Sequence, residues 1–295
     1  MNLFQALVLG IVQGVTEYIP VSSSAHLVLV PWFLGWPDAS FAFEVLVQWG
    51  TLVGVFVFFW QDLVDIIKNV IQGLLQGKPL ATFEAKLGWL VVVATIPAVI
   101  LGWFFKDYFE ATYDSPALAG GLLMLTALVL VIAERFGPPS SPPVNGGDTP
   151  PGVPPVYGGE KKGGRELEQL GWLDAIIIGF WQAAAMLPGV SRSGATIGGA
   201  VLRGFNRTAA ARFSFLMSIP ALLGAGVVAL KDLVEAGTIM AELPALSVGF
   251  VAAAVLGYLC IRWLLHYLQR HSLYIFAAYC AAVSIISLIL AFGRG

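Results

Sequence analysis

Charged side chains are scarce in this chain. Asp, Glu, Lys and Arg make up 12% of its 295 residues, whereas a soluble globular domain carries about 25%. This scarcity excludes an ordinary water-soluble fold, and no basic cluster suggests nucleic acid as a partner. Cysteine is limited to Cys260 and Cys280, which lie in apolar runs and form no metal-ligand pattern. The N-terminus lacks the basic region and cleavage site of a signal peptide, so we expect its first apolar segment to stay in the mature protein.

Hydrophobic residues, by contrast, make up 58% of the chain, and the mean hydropathy is +0.81. A helix crosses a bilayer with about 20 apolar residues, and a helix satisfies its own backbone hydrogen bonds in lipid. The composition therefore predicts an all-α polytopic membrane protein. Six apolar stretches are long enough to span, near residues 41–61, 88–105, 117–134, 210–230, 244–265 and 273–292.

Two further apolar segments, 3–35 and 171–203, are broken midway by proline and a cluster of serines. Each break leaves two pieces that are too short to span a bilayer alone. Such pieces are typical of re-entrant hairpins, which dip into the membrane and return on the same side. We therefore predict one re-entrant helical hairpin in each half of the chain.

The two halves resemble each other at a spacing of about 169 residues. Residues 1–136 form the first predicted repeat and residues 171–295 the second, each with one hairpin and three transmembrane helices. An odd number of spans inverts the second half relative to the first. The matching positions after the hairpins are Phe43, Leu46, Leu52, Gly54, Val57, Asp62 and Leu63, which recur as Phe213, Leu216, Leu222, Gly224, Val227, Asp232 and Leu233.

The connector at residues 137–170 is rich in proline and glycine. Such composition is typical of a flexible or polyproline-like linker. A proline-motif ligand for a binding domain is the alternative, and we expect no chemistry from this segment.

The placement of basic residues indicates an orientation, because cytoplasmic loops of membrane proteins carry an excess of Lys and Arg. Twelve of the sixteen basic residues can be placed on the cytoplasmic side, three then lie on the opposite side, and Arg192 stays within the membrane. Both termini are then expected on the outer, non-cytoplasmic side. The twelve are Lys68, Lys78, Lys86, Arg135, Lys161, Lys162, Arg165, Arg203, Arg207, Arg212, Arg262 and Arg270, and the three are Lys106, Lys231 and Arg294.

The first break carries groups that are expensive to place in hydrocarbon. Gln13 and Glu17 are four residues apart and share one helix face, and the serines Ser22, Ser23 and Ser24 follow Pro20. Capping of the next half-helix is the ordinary role of such serines, but a cap does not require Glu17 or His26. Glu17 could instead face a water-filled vestibule or pair with a distant cation, and His26 could be a packing residue.

The second break predicts an anion site. It reads Pro188-Gly189-Val190-Ser191-Arg192-Ser193-Gly194-Ala195-Thr196. Glycine lets the backbone approach a ligand closely, and the N-terminus of the following half-helix offers free N–H groups and a positive dipole end. The fork of donors on Arg192 matches phosphate oxygens. The alternative is a salt bridge from Arg192 to Glu17 that merely locks the hairpins together.

Together the two breaks contain a carboxylate, an imidazole, hydroxyls and an arginine, which is the set of groups that phosphoryl transfer uses. At membrane depth, this set predicts a substrate whose phosphate is attached to a lipid.

The rival interpretation is a secondary transporter or lipid flippase, since inverted repeats and broken helices also characterise transporters. A purely structural scaffold gives no reason for charged groups in both breaks. The roles of Glu44 and Asp174 stay open, although Asp174 precedes an apolar run and could be an N-terminal cap.

In these motifs the sequence resembles the undecaprenyl-diphosphate phosphatase family, bacterial membrane enzymes associated with bacitracin resistance. The resemblance covers the whole chain apart from the connector. The resemblance implies hydrolysis of undecaprenyl diphosphate to the monophosphate, which recycles the lipid carrier for cell-wall polymers. Also implied are a bacterial inner-membrane location, a divalent cation (Mg²⁺ or Ca²⁺) and a site open toward the outer face.

Carried over by position, the resemblance implies that Glu17, His26, Ser23 and Arg192 are catalytic. The implied phosphate contacts are Ser22, Ser24, Ser191, Ser193, Thr196, Gly189 and Gln13. Many family members have a second glutamate where this chain has Gln13, so a metal would be held by Glu17 and diphosphate oxygens. Attack by Ser23 and attack by activated water both stay open. The expected partners are a polyprenyl diphosphate lipid and the bilayer, with a homodimer as an open alternative.

Overall fold

The computed structural model describes residues 1–105, 115–139, 163–237 and 239–294. Within these ranges the chain folds into eleven α-helices and one short 3₁₀ helix, as predicted for an all-α protein. The first six helices are α1 (Leu3–Thr16), α2 (Ser23–Leu34), α3 (Phe41–Phe58), α4 (Trp60–Leu75), α5 (Phe83–Phe104) and α6 (Pro116–Phe136). After the 3₁₀ helix Leu167–Gln169 come α7 (Trp172–Ala184), α8 (Arg192–Leu202), α9 (Arg207–Ala236), α10 (Ile239–Leu268) and α11 (Tyr274–Arg294).

Five of the described helices, α5, α6, α9, α10 and α11, are long and apolar enough to cross a membrane. A sixth candidate is the pair α3 and α4, in which the chain bends by 80° between Phe58 and Trp60. Phe59, at the bend, has a non-helical backbone (φ −99°, ψ 21°). These helices make the chain a multi-pass membrane protein.

The bend separates the apolar helix α3 from the amphipathic helix α4. Helix α4 exposes apolar side chains such as Ile67 and Ile71, and Asp62 in its first turn pairs with Arg212 of α9 at 3.1 Å. The stretch near 41–61 therefore forms a helix only as far as Phe58, and Asp62 lies beyond the bend. In the second half α9 runs on through Asp232 to Ala236.

The two segments with proline and serine breaks form pairs of half-helices. Helices α1 and α2 have 14 and 12 residues, and α7 and α8 have 13 and 11. At about 1.5 Å per residue, none of these half-helices reaches across a hydrocarbon core of about 30 Å. The breaks at 17–22 and 185–191 lie at the proline and serine positions. The inversion of one half relative to the other stays a prediction.

Glycine lets each of the leading half-helices pack closely against a spanning helix. In α1, Gly10 lies against Gly249 of α10 so closely that a Cβ would clash with that backbone, and in α7 Gly179 lies in the same way against Ala94 of α5. Close contacts through small residues are the usual way in which membrane helices associate. These contacts hold α1 and α7 against spanning helices, and the two breaks follow directly after α1 and α7.

The last part of the connector packs onto the second half. Leu167 and Leu170 are buried, and Arg165 donates to both carboxylate oxygens of Asp174, at 3.1 and 2.7 Å. Arg203 contacts the same carboxylate at 2.8 Å, and Asp174 also accepts from the backbone N–H of Gly171 at 3.1 Å. Asp174 therefore caps α7 and joins the connector to α8. Connector residues 140–162 lie outside the described residues.

Candidate active site

The two breaks meet inside the helix bundle. The carboxylate of Glu17, just after α1, pairs directly with the guanidinium of Arg192, the first residue of α8. Two further hydrogen bonds cross the same junction. The hydroxyl of Ser193 donates to the carbonyl oxygen of Ile19 at 3.2 Å, and the N–H of Gly189 donates to the hydroxyl of Ser24 at 3.4 Å. Residues that are about 170 positions apart thus form one site.

Glu17 is the centre of this site and is buried, with 5% of its surface exposed. While one carboxylate oxygen faces Arg192, the other accepts from Gln13 Nε2 and from Ser23 Oγ, both at 2.6 Å. The arginine charge and the two donors all stabilise the ionised carboxylate. An ionised carboxylate that accepts the hydroxyl proton of Ser23 is placed to act as its base.

The three serines of the first break have different partners. Ser22 caps α2 by accepting from the N–H of Ala25 at 3.3 Å, and it is the one non-glycine residue with positive φ (70°) in the described ranges. The hydroxyls of Ser22 and Ser24 lie 3.2 Å apart. The capping alternative therefore describes Ser22, whereas Ser23 is directed to Glu17 and Ser24 to the second break.

The second break is held in a tight turn. Gly189 has φ +105°, and a Cβ there would clash with the carbonyl of Ala119 in α6. Thr126, also of α6, donates to the carbonyl of Gly189 at 3.0 Å and accepts from the N–H of Ser191 at 2.9 Å. A single threonine on a spanning helix thereby fixes both sides of the turn. Nothing in the sequence marks it beyond a hydroxyl within an apolar run.

Helix α8 begins at this turn and directs its N-terminus into the site. Ser191 caps it by accepting from the N–H of Gly194 at 3.0 Å, which leaves the N–H groups of Arg192 and Ser193 without an intrahelical partner. The Arg192 side chain is 20% exposed, and Glu17 is its one hydrogen-bond partner in the described residues. The remaining guanidinium donors are available to an anion.

Thr196 lies one turn further along α8 and is fully buried. Its hydroxyl donates to the carbonyl of Arg192 at 2.7 Å and lies 2.6 Å from the hydroxyl of Ser214 in α9. Because the hydroxyl is engaged inside the protein, its contacts favour a structural role over direct phosphate binding.

His26 lies in the first turn of α2 and is 7% exposed. Its Nδ1 is 2.7 Å from the carbonyl oxygen of Ser22, and its Nε2 is 2.7 Å from the hydroxyl of Tyr279 in α11. Both ring nitrogens are therefore engaged by groups other than Glu17 and Ser23. Nothing in the sequence marks Tyr279 as a partner of His26, since it lies 253 residues away in a helix with an ordinary apolar pattern.

The donor set limits how a divalent cation could be held. The described residues contain no group of three acidic, histidine or cysteine side chains that could bind a metal. Glu17 supplies one carboxylate, and the buried amide oxygen of Gln13 has no hydrogen-bond partner in the described part of the chain. One carboxylate and one neutral oxygen fit a Mg²⁺ or Ca²⁺ that also binds substrate phosphates.

These features define a polytopic membrane protein in which two breaks between half-helices meet at one buried polar site. The chain belongs to the family described as Bacitracin resistance protein BacA, which it matches over residues 6–286. A protein of Chlorobaculum tepidum named undecaprenyl-diphosphatase is 42% identical over 296 residues, covering 100% of this chain and 99% of the relative. The same name is carried by a Chlorobaculum parvum protein, 43% identical over 298 residues with 100% and 99% covered. A Thermomicrobium roseum protein, also so named, is 38% identical over 297 residues, with 98% of each covered.

Proposed function

We propose that this protein hydrolyses undecaprenyl diphosphate to undecaprenyl phosphate and inorganic phosphate, and so recycles the lipid carrier for cell-wall polymers. The single observation that carries the proposal is the buried Glu17 carboxylate, which joins the Ser23 hydroxyl to the Arg192 guanidinium across the two breaks. A site that only binds an anion has no need of a carboxylate beside its arginine. The names of the relatives support the same reaction.

In this proposal the diphosphate binds to Arg192 and to the free N–H groups at the start of α8. The Ser23 oxygen attacks the terminal phosphorus while its proton passes to Glu17. The bond to the bridging oxygen breaks, undecaprenyl phosphate leaves, and water then hydrolyses the phosphoserine to release phosphate. Arg192 stabilises the charge that builds up on the phosphoryl oxygens. Attack by water held at the same carboxylate is the alternative step.

A divalent cation, Mg²⁺ or Ca²⁺, would be held by Glu17 and by the amide oxygen of Gln13, together with the diphosphate. When bound, it would neutralise diphosphate charge. This assignment is supported by the unpartnered, buried Gln13 oxygen, which lies on the same helix face as Glu17.

The lipid tail has a candidate groove on the outside of the bundle. An apolar groove with a volume of about 610 Å³ lies between α1 and α10 and is lined by Leu7, Ile11, Val251 and Val255 among others. Because α1 leads directly from this groove to Glu17, a headgroup at Glu17 leaves its tail close to the groove. We propose that the groove holds the first isoprene units of the tail.

The proposed orientation has both termini outside the cytoplasm of a bacterial cell and the site open toward the outer face. The cluster of Arg165 and Arg203 around Asp174, and the pair of Arg207 with Glu134, would then lie on the cytoplasmic side, in agreement with the excess of basic residues expected there. A homodimer stays a prediction.

The test is phosphate release by the purified protein in detergent, with undecaprenyl diphosphate as substrate and no ion or voltage gradient. We expect release by the wild type, loss of release with a metal chelator and recovery on adding Mg²⁺ or Ca²⁺. The Arg192→Ala variant should release phosphate about 10³-fold more slowly. A wild type that moves the lipid between leaflets of a vesicle but releases no phosphate would favour the flippase instead.

A further inference from the structure

His26 is held between two fixed groups. Its Nδ1 lies 2.7 Å from the carbonyl oxygen of Ser22, and because a carbonyl can only accept, Nδ1 carries a proton. In the neutral ring, Nε2 is then the acceptor, and the hydroxyl of Tyr279 at 2.7 Å is its donor. The two rings are also stacked, 5.6 Å apart and 7° from parallel. The contacts on both sides fix the tautomer as well as the orientation of the imidazole.

Helix α11 approaches the first break through two adjacent residues. Tyr279 contacts His26, and the neighbouring Cys280 is fully buried with its sulfur 3.7 Å from the carbonyl oxygen of Pro20. Tyr279 itself is 45% exposed, whereas His26 is 7% exposed. The phenol therefore lies between the imidazole and the surroundings of the bundle.

We propose that Tyr279 is a positioning residue of the phosphatase site, whose hydroxyl keeps Nε2 of His26 bonded in both of its protonation states. The inference rests on the proposed function. A hydroxyl can donate to the neutral imidazole and, after a rotation about its C–O bond, accept from the imidazolium. Nε2 of the buried ring thus has a hydrogen-bond partner in either protonation state, whereas an unpaired buried nitrogen would be costly.

The first test replaces the hydroxyl and keeps the ring. Tyr279→Phe should preserve the stacking on His26 and lower kcat about tenfold, the effect of one lost hydrogen bond, while KM for the lipid diphosphate stays unchanged. Tyr274→Phe is the matched control, because Tyr274 lies on the same helix with a similar exposure of 47%. This control should have the kcat of the wild type.

A second test asks whether Tyr279 acts through His26. In the His26→Ala background, Tyr279→Phe should cause no further loss of kcat, because the partner of the hydroxyl is already gone. A loss that multiplies with that of His26→Ala would overturn the proposal.

A third measurement does not depend on activity. The chain has three histidines, His26, His266 and His271, so ¹⁵N-histidine labelling in detergent gives few ring resonances. The Nε2 resonance of His26 should shift in Tyr279→Phe and stay in place in Tyr274→Phe. An unshifted resonance together with wild-type kcat would refute the assignment, and a Tyr279→Phe variant that fails to fold would also overturn it, in favour of a purely structural contact. A wild type without phosphatase activity would refute the proposed function instead, while the resonances would still report on the histidine–tyrosine pair.

Discussion

Glu17 and Arg192 are 175 residues apart in sequence, yet their side chains form an ion pair in the interior of a membrane protein. Each comes from the break of a different half-helix pair. The arginine retains donors beyond the one it gives to Glu17, so a diphosphate bound at this junction would have donors to contact. The pair therefore marks where the headgroup would bind, and also joins the two halves of the chain.

The two roles of this pair, locking the halves and handling substrate, can be separated by exchanging its charges. Glu17→Arg combined with Arg192→Glu keeps an ion pair but moves the carboxylate away from Ser23. We expect thermal stability close to wild type and no measurable phosphate release. Each single variant, Glu17→Arg or Arg192→Glu, should be less stable by at least about 3–5 kcal/mol, since it places two like charges side by side in the interior and leaves neither with a partner. Activity recovered by the exchange would show that the pair serves as a lock alone.

Ser23 is expected to be the nucleophile because its hydroxyl donates to Glu17 at 2.6 Å. Ser23→Ala should lower kcat roughly 10³-fold or more, as losses of nucleophiles do, and acid quenching of the wild type should trap a phosphate on Ser23. Thr95→Ala is a control for removing a hydroxyl within the membrane, because Thr95 donates only to its own helix, at Val91. A Ser23→Ala variant within about tenfold of the wild type would assign the attack to water.

The sequence predicts the half-helices and the main site residues for a simple physical reason. Polar groups are costly in hydrocarbon, so Glu17 and Arg192 stand out against an apolar background, and proline marks where the helices end. The contact between them could not be derived in the same way, because it depends on how α1 and α8 pack. The sequence predicts that groups from both breaks serve one reaction, and the structure describes the atoms that meet.

Other features lack any local signal. Tyr279 and Thr126 lie in spanning helices with ordinary apolar patterns, and they reach the site only through tertiary packing. The 80° bend after α3 occurs at Phe59, in a run of aromatic residues without proline or glycine. Helix propensity alone predicts that α3 continues through Phe59, since aromatic residues lower helix stability only slightly.

The turn at Gly189 should tolerate no side chain. Its φ of +105° is unfavourable for an L-residue, and a Cβ would also meet the backbone of α6. Gly189→Ala should therefore destabilise the protein by at least about 1–2 kcal/mol and lower phosphate release, because the start of α8 shifts. Gly121→Ala in α6 is the matched control, since a Cβ there meets nothing within 4 Å. Thermal unfolding should show this control to be as stable as the wild type or slightly more so.

Asp174 provides a test by pH. Burial alone would raise the pKa of its carboxyl, but hydrogen bonds from Arg165, Arg203 and Gly171 outweigh this and lower the pKa below its ordinary value of 3.8. A lowered pKa in the folded state means that the carboxylate contributes stability above the ordinary pKa, and that this contribution is lost as the pH falls through the folded value. The Asp174→Asn variant should thus have a lower melting temperature than the wild type at neutral pH, and the difference between the two melting temperatures should narrow below pH 3.8. A difference in melting temperature that does not depend on pH would mean that the charge of Asp174 is not what stabilises the protein.

The proposed binding of the lipid tail in the groove between α1 and α10 can be tested with substrates of different tail length. Val251 lines it and is 61% exposed, so Val251→Trp would fill it without disturbing the buried core. We expect KM for undecaprenyl diphosphate to rise about tenfold, the equivalent of ~1.4 kcal/mol of lost apolar contact. Farnesyl diphosphate has a much shorter tail and fewer contacts to lose, so its KM should change less. Val227→Trp on α9 is the control, because Val227 has a similar exposure of 60% and lies outside the groove lining. Equal effects of the two variants, or equal effects on the two substrates, would place the tail elsewhere on the bundle.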